Sequence, residues 1–152
     1  MSENVNTGTG TANTEPEPIS SVANQVIEAV MDLIDALDHF APVRRGALGS
    51  GAGLSCESAT SSIESVFLSK EKYVYCDLTL NGKNADLELL SETLGRIVDT
   101  LTMAKSYPSG VEWEIVDISH GTPVVPMIIG REENNDWIMA AGVIVKYYRK
   151  EI

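Results

Sequence analysis

An α+β fold is predicted for this chain: a mainly antiparallel sheet of about four to five strands with two helices packed on one face. Three observations predict it. Two segments place apolar residues three and four apart, the stripe of an amphipathic helix. Other segments alternate apolar and polar residues with a period of two, as half-buried strands do. The strands are grouped between the helices, in the order helix, three strands, helix, two strands, and strict one-for-one alternation would instead point to a parallel sheet.

The first stripe is Val22, Val26, Val30, Leu33, Ile34, Leu37 and Phe40, with Ser20 or Ser21 as cap and Pro42 as stop. Its other face carries Glu28, Asp32, Asp35 and Asp38. Residues 41–53 (APVRRGALGSGAG) read as a flexible Gly-rich loop bearing Arg44 and Arg45. Residues 54–59 and 62–68 are short strand candidates. A clearer strand spans 72–80, where Val74, Cys76, Leu78 and Leu80 alternate with Tyr73, Tyr75, Asp77 and Thr79, and Asn81-Gly82 reads as its closing turn. Asn84 is the expected cap of the second helix, whose stripe is Leu87, Leu90, Leu94, Ile97, Val98 and Leu101 and which Tyr107-Pro108-Ser109-Gly110 breaks. Val111, Trp113 and Ile115 then alternate with Glu112 and Glu114 as a strand with one wet face. Residues 119–136 read as a long connection or an interrupted edge strand. Trp137 to Tyr148 is a long strand with Ile138, Ala140 and Ile144 on one side and Met139, Val143 and Val145 on the other. One side should meet the helices, and the second apolar side should be covered by another subunit.

Size and charge narrow the classes. The 152 residues, 43% hydrophobic, suit a single domain over 19–152 behind a disordered arm, residues 1–18, that has almost no apolar content. Eleven Lys+Arg against 22 Asp+Glu give a net charge of -11, which disfavours general binding to nucleic acid or to an anionic membrane. No apolar run approaches the roughly 20 residues of a membrane helix. The arm lacks the basic start and apolar core of a signal peptide. Cys56 and Cys76 form neither a CxxC nor a bridge framework, so they read as small buried hydrophobes of a protein folded in a cytoplasm.

Candidate chemistry is sparse. Asp35 and His39 share a helix face and have too few neighbouring ligands for a metal. Asp117, Ser119 and His120 hold the letters of a hydrolase triad without a nucleophile elbow, and adjacent strand residues point to opposite faces. Gly46, Gly49, Gly51 and Gly53 leave a helix and enter a strand, the reverse of a phosphate loop. Glu112/Glu114 and Glu132/Glu133 lie on a solvated strand side and in a turn, contexts that do not promise the burial or close charge partners a general acid and base need. The expectation is no enzyme, no cofactor and no metal. Charge is segregated instead: Lys146, Arg149 and Lys150 cluster with Tyr147 and Tyr148 at the chain's end, while the first helix is acidic. That arrangement suggests head-to-tail association, a basic edge on one copy meeting an acidic face on the next.

The strand Tyr73–Leu80, the helix Leu87–Leu101, VEWEIVDIS, a proline-containing stretch and IIGREENNDWIMAAGVIVKYYRK follow one another over residues 70–150. This succession resembles the tail terminator, neck (tail completion) and minor capsid proteins of long-tailed bacteriophages. The resemblance implies a virion protein, assembled in the bacterial host's cytoplasm, that forms a ring of six copies on the last ring of the tail-tube protein. Such a ring ends tube polymerisation and offers a surface to the head connector or neck proteins. DNA would traverse the lumen without specific binding, and an acidic lining avoids trapping its phosphates. Candidate lumen acids are Glu28, Asp32, Asp35, Glu112 and Glu114. Candidate interface residues are Arg44 and Arg45, the apolar-plus-arginine patch Met127, Ile128, Ile129 and Arg131, and Lys146, Tyr148, Arg149 and Lys150. The patch has a second reading as a local core plug. Two alternatives stand beside the terminator: a neck adaptor, and a small ligand- or peptide-binding module using the sheet face with Tyr73, Tyr75 and Tyr148.

Overall fold

Two helices and a six-stranded, mostly antiparallel open sheet make up the α+β architecture of the computed structural model, which describes residues 18–66 and 71–150. The predicted disordered arm lies outside the described residues apart from Pro18. The first helix, α1, runs Pro18–Asp35. Proline suits a first helical position, where its missing N–H has no intrahelical role. Ser20 and Ser21 therefore fall within the first turn and do not cap it. Val22, Val26, Ile27, Val30 and Ile34 are buried along one stripe. The helix ends at Asp35, short of the expected Phe40, because its last groups are used elsewhere. His39 Nε2 donates to the Ile34 carbonyl at 3.0 Å, and Asp35 Oδ1 accepts from the Val43 amide at 2.9 Å.

That amide opens β1 (Val43–Arg45), a three-residue strand inside the segment expected to be a flexible loop. It pairs parallel with the start of β2 (Gly53–Val66), one 14-residue strand where two short ones were expected. β2 pairs antiparallel with β3 (Lys72–Asn84). Asn81-Gly82 does not turn the chain; both residues continue β3. Asn81 Nδ2 donates to Glu57 Oε1 at 2.9 Å and Ser55 Oγ at 3.4 Å, so a turn-forming residue is satisfied within the sheet. Gly82 admits the second helix closely, since a β-carbon there would lie 2.5 Å from Leu90 Cδ1.

The second helix, α2 (Leu87–Thr102), is capped by Asp86, not Asn84: Asp86 Oδ1 accepts from the Leu89 amide at 3.1 Å, while Asn84 Oδ1 accepts from the Asp86 amide. Leu90, Leu94, Ile97, Val98 and Leu101 are buried, as their spacing predicts. A fully buried aliphatic side chain of this kind stabilises the fold by roughly 1.5–3 kcal/mol. β4 (Trp113–His120) begins two residues later than expected, and Val111 is 86% exposed. β5 (Met127–Arg131) is a short strand within the long connection, and β6 (Trp137–Arg149) closes the described fold.

The order is β1-β2-β3-β6-β4, with β5 also on β6. β6 pairs with β3 along its whole length. Its other edge is shared: β4 takes residues 143–149 and β5 takes residues 137–140. The extra strands beyond the expected four to five are β1 and β5, both too short to show a period. One core joins both helices to alternate strand residues, among them Leu54, Cys56, Cys76, Leu78, Leu80, Ile118, Met139, Val143 and Val145. No described helix is long and apolar enough to cross a membrane.

Gly142 sits where β4 hands over to β5. Its amide donates to the Pro123 carbonyl and its carbonyl accepts from the Gly121 amide. A β-carbon on Gly142 would lie 2.5–2.7 Å from Thr122 backbone atoms. Gly142→Ala should therefore destabilise the protein by about 1–3 kcal/mol, because backbone must move. Gly82→Ala should cost less, since the ends of side chains, Leu90 and to a smaller degree Leu54, must shift and not backbone; urea unfolding of the two variants checks the order.

Candidate functional site

The residues singled out for chemistry are held by local structural bonds. Arg96, on α2, donates to the Asp38 carbonyl at 2.8 Å and to His39 Nδ1 at 3.1 Å. With Nε2 donating to Ile34, both His39 nitrogens are used, and Asp35 is engaged with Val43. Among the described residues no three potential ligands cluster. Asp117, Ser119 and His120 are exposed on β4, and His120 Nδ1 donates to the Val124 carbonyl at 3.3 Å. Cys56 and Cys76 are free and buried, and burial pushes the Cys56 thiol up to about 12.

The basic end of the last strand is not an edge. β6 lies inside the sheet, with neighbours on both sides. Arg149 faces Glu112 at 3.9 Å, so one interface candidate and one lumen candidate form a weak ion pair. Lys146 lies over the rings of Tyr73 and Tyr75, at 4.9 and 5.5 Å, and Tyr73 packs on Tyr148 at 5.1 Å. A hydrogen bond with the Glu71 side chain pushes the Tyr148 hydroxyl up to about 12. Lys146 thus lies across part of the tyrosine face expected to receive a ligand, whose three rings stay half-exposed. On the second side of β6, expected to be covered by another subunit, the chain itself covers a part, and Ile138 and Ile144 stay half-buried. Ala140 and Gly142 are buried within the chain, the latter under the backbone of Thr122. Lys150 ends the described chain, its amide donating to the Glu112 carbonyl.

The exposed apolar surface lies instead on β5 and the residues just before it. Val124, Val125, Met127, Ile128 and Ile129 are 48–63% exposed, five of the nine exposed large hydrophobics among the described residues. They are not a core plug. Met127 opposes Ala140 and Ile128 opposes Met139, so the strand presents apolar side chains on both faces. Arg131 stacks on Trp137 at 4.2 Å, which fixes the strand's end. Sequence reading found Met127–Arg131 but missed Val124 and Val125, whose neighbours Pro123 and Pro126 broke the pattern.

The second surface is β1 and its return loop. Arg44 and Arg45 are exposed, and Arg45 donates to Asn24 on α1 at 3.3 Å. Gly46 and Gly51 adopt positive φ, 93° and 76°, which glycine tolerates without strain. An open cleft of about 460 Å³ runs between Ala41–Arg45 and Gly49–Leu54, and its charged lining residues are Arg44 and Arg45. Lys83, missed because Asn-Gly-Lys read as a turn, pins this loop. Its side chain is 4% exposed, and Nζ donates to the Gly49 carbonyl at 2.7 Å and to Glu132 Oε2 at 3.0 Å. The candidate lumen acids Glu28, Asp32, Asp35 and Glu114 are exposed, whereas Glu112 is half-buried beside Arg149.

Compared with models of known protein families and with curated proteins, the sequence matches none.

Two predictions follow from these bonds. Burial, with the Arg96 charge beside it, holds the His39 pKa below its ordinary 6.5. The unfolded chain then binds more protons between that lowered value and 6.5, so stability falls as pH drops through this window and is complete above it. Thermal unfolding from pH 7.5 to 5 should show this loss, and His39→Gln should remove that part of the slope. Lys83→Met should speed amide hydrogen exchange in residues 46–52 and 132–135 while leaving α2 protected; equal protection throughout would show that the lysine holds neither segment.

Proposed function

We propose that this chain is a structural virion protein that closes into a ring at the head-proximal end of a phage tail tube. It ends tube growth and presents the surface on which the head connector docks. The observation that carries the reading is β5, a short edge strand with apolar side chains exposed on both faces. A monomeric protein normally protects such an edge with charge, proline or a covering element, and an assembling one leaves it open. Both helices would lie on one face of the sheet, and the sheet edges would then meet the neighbours. A ring of acidic copies also suits a passage for DNA, because a negative lining does not grip phosphates. The resemblance of residues 70–150 to tail terminators supplies the place in the particle.

A terminator halts polymerisation by having unlike ends: one repeats the tube's own contact and the other does not. That task needs two faces and a side-to-side contact, with no reacting group. The expected partners are further copies of the chain, the tail-tube protein and the connector.

Particles made without this chain should have overlong tails and heads without tails when imaged by negative stain. Tails of normal length beside unattached heads would assign the chain to a neck adaptor instead. Normal particles would overturn both assignments.

A further inference from the structure

The two edges of the sheet differ in chemistry, and the strand order keeps them apart. β1 lies at one edge, with β2, β3 and β6 between it and β5. At about 4.8 Å per strand the two strands are roughly 19 Å apart, while the loop behind β1 reaches back over the sheet to Lys83, which it shares with Glu132. The β5 edge is apolar up to its exposed last residue, Arg131, which is held over Trp137; Glu133 follows on its turn, and Glu114 and Asp117 lie further along on the collinear β4, all three acids exposed. The β1 edge is the reverse: a cleft whose charged lining residues are two arginines. Each edge has the partner the other lacks.

We infer that copies of this chain join head to tail, the β5 edge of one entering the Arg44/Arg45 cleft beside β1 of the next. This deepens the ring reading above and shares with it only the premise that copies meet side to side. Three observations favour a second copy in this arrangement. Copies carrying a net charge of -11 repel one another, so a stable contact must bring cations against acids. Arg44 and Arg45 are exposed cations in a cleft whose lining holds no carboxylate, and the acids flanking β5 supply them. Among the described residues β1 pairs only with β2, so apart from the Val43 amide, which Asp35 holds, its far edge offers backbone groups to an incoming strand, and β5 is likewise paired on one side only. A contact between unlike edges repeats from copy to copy and closes into a ring when its rotation divides the circle, or else extends as a filament, whereas β5 pairing with β5 stops at a dimer.

The test uses the full chain in sedimentation velocity. Wild type should sediment well above its monomer mass of 16.4 kDa. Ile129→Glu alone and Arg44→Glu/Arg45→Glu alone should each fall to monomer with unchanged melting temperatures, since all three side chains are exposed. Mixed in equal amounts, the two variants should form a dimer and nothing larger, because the mixture holds one intact pair of edges. A wild type that stays monomeric at every concentration overturns the inference. So does a dimer lost in Ile129→Glu yet kept in Arg44→Glu/Arg45→Glu, which would indicate a symmetric β5 pair. The virion reading is judged separately. Overlong tails on particles lacking the chain, with both variants restoring normal length, leave that reading standing and remove the edge contact. Variants that behave as expected, with normal particles lacking the chain, do the opposite.

Discussion

The structure depends on one strand being hydrogen-bonded along both of its edges. β6 meets β3 over thirteen residue pairs on one side, while on the other β4 and β5 divide its length between them. The division is possible because residue 142 has no side chain: the backbone of residues 121–123 closes against it and redirects the chain from one partner strand to the next. Everything else is arranged around this line. The buried face of β6 supplies the floor on which α2 lies, and the junction decides that β5 is left at the margin with its apolar residues uncovered.

Much of this was legible in the sequence where a period had room to repeat. The stripe of α2 and the alternation in β3 and β6 translate directly into buried residues. Three residues of β1 cannot display a period, and glycines around them look like a loop. Asn81-Gly82 has the chemistry of a turn, but Ser55 and Glu57 from β2 satisfy the asparagine, and packing of Leu90 requires the glycine. Tertiary partners overrode a local preference, and no local reading contains those partners. The same holds for Lys83, whose two acceptors lie 34 and 49 residues away.

The surfaces were half legible for a related reason. Composition identifies apolar and basic segments, yet whether a segment is exposed depends on strand order. Two-sided greasiness in β6 suggested a neighbour, and on that side the chain itself buries Ala140 while Ile138 and Ile144 stay half-buried. The apolar run before Gly130 proved to be the uncovered one because β5 has a partner on one side only. Similarly, the cations of β6 are occupied, Lys146 over two tyrosines and Arg149 beside Glu112, which leaves Arg44 and Arg45 as the exposed basic pair of the sheet's far margin.

Lys83 gives the molecule a further property. A single ammonium, with three protons to share, ties the glycine loop behind β1 to the turn that follows β5. Whatever draws Glu132 away frees the loop, and whatever stiffens the loop holds the turn. Neighbours arriving at opposite margins of one subunit would therefore sense each other through that shared cation, so the first arrival lowers the ordering entropy left for the second.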